Sequence, residues 1–139
     1  MVDNLNTLND DSPEQLFNVD HHYDDNNVFA KILREELPCT KVYEDDYALA
    51  FYDAQPCAKQ HILVIPKGPY VSSQDFYARA SEDEIVGFCR AIATVAEKEK
   101  LVDTGYRTIA NHGEHARQEV PHMHVHLVGG EDLKGMLNL

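Results

Sequence analysis

The chain has 139 residues, 43% of them hydrophobic, and 24 acidic side chains against 12 basic ones give a formal net charge of −12. That length fits one domain with an ordinary core. The charge argues against a nucleic-acid partner, because binding a phosphate backbone needs clustered Lys and Arg, but it leaves room for a small phosphorylated ligand in a local pocket.

No apolar run approaches the roughly 20 residues that span a bilayer, so no membrane association is expected. The opening Met1-Val2-Asp3-Asn4 lacks the basic and apolar regions of a secretory leader, and a cytoplasmic location is expected. Cys39, Cys57 and Cys89 are odd in number and widely spaced, which suits reduced thiols and small buried side chains rather than a disulfide framework.

Residues 1–27 hold seven acids, six Asn and no Lys or Arg. Low hydrophobicity with one sign of charge cannot offset ordering entropy, so this segment is expected to be a largely disordered acidic tail. His21-His22 within it reads as two exposed polar residues. The globular domain, residues 28–139, is expected to open with a short helix carrying Phe29, Ile32 and Leu33, capped by Asn27 and ended by Pro38. Thr40–Glu44 and Tyr47–Asp53 read as a hairpin turning at Asp45-Asp46, and His61–Pro66 as a central strand. Residues 82–100 make the long helix. Ser81-x-x-Glu84 is its capping box, and Ile85, Phe88, Cys89, Ile92, Val95 and Ala96 are its apolar stripe. Strands at Tyr106–Asn111 and Pro121–Val128 follow, separated by a polar loop with His112 and His115, which read as solvated. The sum is an α+β fold: a mainly antiparallel sheet of about five strands with one long and one short helix.

His122-Met-His-Val-His126 is the most informative stretch. Alternate side chains of a strand share a face, so His122, His124 and His126 are expected to line one side over roughly 13 Å, with Met123, Val125 and Leu127 on the core side. Imidazoles near neutral pH serve as nucleophile, acid, base or metal ligand. A nucleophilic histidine needs one nitrogen unprotonated and the other held by an acceptor. Its neighbours can orient it and handle protons. The rival is a zinc site, with His61 or Glu119 completing H-x-H.

Gln118-Glu-Val-Pro-His122-Met-His-Val-His126-Leu-Val-Gly-Gly130 resembles the defining motif of the histidine-triad (HIT) family. Phe29–Pro38, Asp53 with Pro56 and His61–Lys67, and Asn111-x-Gly113 resemble its other blocks, so the likeness covers about residues 28–130. The form is most similar to the bacterial purine nucleoside phosphoramidase branch. The resemblance implies a HIT-like fold, a homodimer joining two sheets, and no cofactor or metal. It further implies hydrolysis of purine nucleoside phosphoramidates or related nucleotide conjugates at the α-phosphorus, through a nucleotidyl-histidine intermediate.

Roles follow from the same resemblance. His124 would be the nucleophile, His122 would orient it through its backbone carbonyl, His126 would contact phosphate and leaving group, and His61 would complete the cluster. Asn111, Gln118 and Glu119 would lie near the phosphate, Asp53 at the ribose hydroxyls, and Phe29, Ile32, Phe51 and Tyr52 around the purine base. Ala116-Arg117 stands where the family usually has glycines, which leaves two readings of Arg117: a solvated loop residue offsetting Glu119, or a contact to phosphate or leaving group. Two alternatives stay open: a dinucleoside polyphosphate hydrolase on the same scaffold, and a nucleotide-binding adaptor with vestigial activity.

Overall fold

The computed structural model describes residues 22–137. Most of the expected tail lies outside the described residues. The six that lie inside, 22–27, form a turn rather than a free strand end: the Asn27 amide and its side-chain Nδ2 both donate to the Asp24 carbonyl, at 3.1 and 2.8 Å. Asn27 is buried and its Oδ1 accepts from the Ala30 amide, capping helix α1, Val28–Leu33. The helix stops short of Pro38 because Glu35 turns left-handed (φ 63°), letting the Glu36 amide close back on the Lys31 carbonyl.

Five antiparallel strands follow: β1 Lys41–Glu44, β2 Ala48–Tyr52, β3 Gln60–Pro66, β4 Tyr106–Ile109 and β5 Val125–Gly129, in the order β1-β2-β3-β5-β4. Asp45 Oδ1 accepts from the Tyr47 and Ala48 amides and so sets the β1–β2 turn. Two helices lie between β3 and β4: α2, Ser73–Arg79, and α3, Glu82–Lys98, with both halves of the Ser81/Glu84 capping box formed. The sequence reading missed α2. Its seven residues, about two turns, carry too short an apolar pattern to stand out, and the Ser72 cap and an Asp75–Arg79 ion pair hold it.

β2 and β3 are apolar almost throughout because both faces are covered. Ala48, Ala50, Ile62 and Val64 face a cluster with Phe88, Val95 and Ala96 of α3, joined by Met123, Val125 and Leu127. Leu49, Phe51, Leu63 and Ile65 point the other way and pack with Phe29 of α1. On α3 the buried set is Phe88, Ala91, Val95 and Ala96; Cys89 is exposed, one position off the stripe assigned to it. Cys57 is also exposed and Cys39 half-buried against the Phe29 cluster, so the expectation of buried cysteines fails. Among the described residues no helix is long and apolar enough to cross a membrane.

Phe88, 1% exposed, fills the space between α3 and the sheet. Phe88→Ala should cost about 3–5 kcal/mol of unfolding free energy, read from urea denaturation, because the cavity collapses only in part. A loss under about 1 kcal/mol would mean that α3 contributes little to the core.

Candidate active site

The histidine segment is only partly a strand. β5 starts at Val125, so of the three imidazoles only His126 belongs to the ladder, paired in register with Leu63. Upstream, the His122 amide bonds the Val120 carbonyl and the Met123 amide bonds the Tyr70 carbonyl, which draws this stretch out of the sheet. Met123, Val125 and Leu127 are on the core side as expected. The three histidines lie on the other side, where Phe29 meets His122 and His124 and His124 meets His126, but they are covered to different degrees: His122 is fully buried, His124 is 7% exposed and His126 is half-buried.

Hydrogen-bond partners assign a tautomer to each ring. Nε2 of His122 lies 2.9 Å from the Pro66 carbonyl, which can only accept, so Nε2 carries the proton. Nδ1 of His124 lies 2.7 Å from the His122 carbonyl, so it donates and leaves Nε2 with a free lone pair. The Cys57 amide donates to Nδ1 of His61 at 3.1 Å, which puts the His61 proton on Nε2. That nitrogen donates to Nδ1 of His126 at 2.8 Å, so the remaining proton of a neutral His126 sits on Nε2. Asp53 Oδ2 is 3.3 Å from Nε2 of His61, while Oδ1 accepts from the Gln55 amide.

Electrostatics reinforce the neutral forms. Burial pushes His122 down to about 4, with a further push from His124, against the raising effect of its bond to Pro66. Burial also takes His126 down to about 4, aided by His124 and His61. His124 and His61 are lowered as well, chiefly by burial, with the Asp53 charge opposing. At pH 7 the cluster is a set of uncharged imidazoles with assigned protons.

A cleft of about 850 Å³ opens beside them. His124 and His126 line it together with Phe29, Ile32, Phe51, Tyr52, Asp53, Asn111, Gln118 and Glu119, so ten of the twelve residues expected at the site reach it. The other two, His61 and His122, stand behind the wall. Phe29 meets Phe51 edge-to-face at 5.6 Å and His124 at 5.1 Å, giving one end of the cleft an aromatic lining. Two side chains are more committed than expected. Gln118 spends its amide on the loop, accepting from the Gly113 amide and donating to the Val71 and Val120 carbonyls. Tyr52 is exposed and directs its hydroxyl to Glu99. His112 and His115 are exposed, in line with solvated loop residues.

Arg117 also lines the cleft, exposed and with φ of 57°, a conformation glycine adopts at less cost. The sequence reading did not find Tyr23, whose hydroxyl is 2.5 Å from Nδ1 of His122, nor Leu37, Pro38 and Thr40 on the cleft wall. Among the described residues, Asp53, His61 and His126 place three donor atoms within 4.8 Å and could hold a divalent cation. That set differs from the H-x-H pair with His61 or Glu119 considered from sequence.

The HIT domain family matches residues 34–133, and this chain belongs to that family. It is 55% identical over 115 residues to an uncharacterized 13.2 kDa HIT-like protein of Azospirillum brasilense, covering 83% of this chain and 94% of the relative. It is 41% identical over 110 residues to the purine nucleoside phosphoramidase of Escherichia coli K12, covering 79% and 92%. A histidine triad protein from Clostridium difficile superposes with a TM-score of 0.74 at 39% identity, covering 82% of this chain and 98% of that one.

The buried imidazoles carry a pH signature. Between about 4 and the ordinary 6.5, the unfolded chain takes up protons that folded His122 rejects, so stability falls as pH drops through that window. The slope for a group this buried is about 1.4 kcal/mol per pH unit. Urea midpoints should hold near pH 7.5 and decline from pH 6.5 towards 4; an unchanged midpoint at pH 5 would show that the rings protonate freely.

Proposed function

We propose that the protein hydrolyses purine nucleoside phosphoramidates, or related nucleotide conjugates, at the α-phosphorus. One observation carries the reading: the 2.7 Å bond from Nδ1–H of His124 to the His122 carbonyl, which leaves Nε2 unprotonated on a ring that lines the cleft. A neutral imidazole held in that tautomer is an activated nucleophile. The named activity of the E. coli relative supports the same chemistry.

In this reading the purine lies against Phe29, Ile32 and Phe51, where apolar and aromatic walls suit a flat heterocycle. The Asp53 carboxylate accepts from the ribose hydroxyls. Nε2 of His124 attacks phosphorus and forms a P–N bond. The P–N bond to the leaving amine breaks as that nitrogen takes up a proton from solvent, and the later attack of water releases one proton in return. The Nε2–H of His126, oriented by His61, donates to the phosphoryl oxygen as charge develops there. Asn111 and Glu119 border the leaving group. Water then attacks the nucleotidyl-His124, freeing the nucleoside monophosphate and restoring the imidazole.

A specific feature favours a second substrate type. Arg117 places an exposed guanidinium on the cleft wall, and its planar donors suit an anionic leaving group such as the phosphate chain of a dinucleoside polyphosphate. A cytoplasmic setting with reduced cysteines fits either substrate. We also propose a homodimer in which the sheets of two copies join through β4, one of the two edge strands.

His124→Ala should lower turnover of an adenosine phosphoramidate by about three or more powers of ten, each worth about 1.4 kcal/mol of barrier, while nucleotide binding survives. The acid limb of native kcat/KM should lie below 6.5, because burial holds His124 neutral. Turnover of the variant within a few-fold of native would remove His124 as nucleophile, and a native chain faster on a dinucleoside tetraphosphate would favour the second substrate. Light scattering should give about twice the 15.8 kDa chain mass; a stable, active monomer would refute the dimer.

A further inference from the structure

His122 is fully buried, and each of its ring nitrogens has one partner. Nε2–H donates to the Pro66 carbonyl at 2.9 Å, so Nδ1 must accept. The group that supplies it is the Tyr23 hydroxyl at 2.5 Å, whose ring meets the imidazole edge-on with centroids 5.6 Å apart. The main chain of the same histidine receives Nδ1–H of His124. We propose that Tyr23, from the segment before α1, is a positioning residue for the nucleophile: its hydroxyl fixes the tautomer and orientation of His122, and through the His122 carbonyl those of His124. The proposal rests on the reading of His124 as nucleophile.

The placement of Tyr23 is built rather than incidental. The turn that follows it is tied by the two Asn27 bonds to the Asp24 carbonyl, and the same Asn27 caps α1. That helix brings Phe29 to within 6.3 Å of the His122 ring, edge-on, so His122 has an aromatic neighbour from each of two connected segments. Charged and polar groups near the phenol are Asn27, Asp25, Arg34 and Asp24; near His122 the facing titratable group is His124. Burial raises the Tyr23 pKa above its ordinary value, so the phenol stays a proton donor.

Without the hydroxyl, a buried nitrogen lone pair has no partner. The ring can recover by taking a proton on Nδ1 or by rotating. Rotation gives up the Pro66 bond, and a proton puts a positive charge beside His124.

The test uses the full chain with ¹⁵N-labelled histidine and the Tyr23→Phe variant, which keeps the ring and removes only the hydroxyl. In the native chain, His122 should show a protonated Nε2 and an unprotonated, hydrogen-bonded Nδ1 that persists below pH 6. In Tyr23→Phe the Nδ1 resonance should move and titrate at a higher pH. Turnover of an adenosine phosphoramidate should fall about tenfold with KM within about twofold, the pattern of a lost transition-state interaction. A native spectrum with the proton on Nδ1 overturns the proposal with no variant needed. So does a folded Tyr23→Phe with native kcat and a native His122 signal, or one whose loss lies only in melting temperature. If the native chain hydrolyses no nucleotide substrate, the function reading falls, and the His122 spectrum alone decides whether Tyr23 sets that ring.

Discussion

The short bond from the His124 ring to the His122 carbonyl depends on a peptide that cannot move, and much of the fold serves to hold that peptide. His122 sits where the chain has left one set of partners and not yet joined the β5 ladder. Its amide is tied to Val120 and its ring to Pro66 at the end of β3, while the next amide is tied to Tyr70. One of these partners is local and the other two come from the segment that ends β3 and follows it. The carbonyl that accepts from the His124 ring is therefore held by contacts to its own ring, its own amide and the next amide.

Burial and tautomer act together here. An imidazole exposed to water exchanges protons and tautomers freely, with a charged fraction near neutral pH. In this cluster, desolvation opposes the charged forms, and backbone donors and acceptors choose which nitrogen keeps the single proton. The result is an ordered polarity, with a lone pair on Nε2 of His124 and an N–H on Nε2 of His126, on two rings that line the same cleft. Two such groups side by side suit attack at an electrophilic phosphorus whose oxygens need donors.

The sheet supplies rigidity at the same point. β3 and β5 pair antiparallel, with His61 and His126 on the face turned towards α1 and the residues between them in the α3 core. Apolar packing on both faces of β2 and β3 leaves those strands little freedom, and Asp53, one residue past β2, is tied to His61 through its backbone amide. The acidic chain as a whole repels anions, so a phosphorylated ligand depends on local donors rather than on the global field.

Local sequence determined a good deal of this. Period-two and period-3.6 patterns with strong caps located all five strands, α1 and α3, since those signals come from residues close in the chain. The motif with its three companion blocks marked ten of the residues that line the cleft. Other features were outside its reach because they arise between distant segments. α2 was too short to show a pattern, and exposure of Cys57 and Cys89 depends on where the two apolar clusters end. Alternation put the three histidines on one side, where Phe29 meets His122 and His124, but the full burial of His122 there depends on residues distant in the chain such as Tyr23 and Phe29. Composition grouped Tyr23 with an acidic tail, although 99 residues of sequence separate it from the ring it touches. The sequence by itself determined which side chains were available for chemistry. Only the tertiary structure decided which nitrogen of each histidine carries its proton, because that depends on backbone carbonyls and amides whose positions no local pattern encodes.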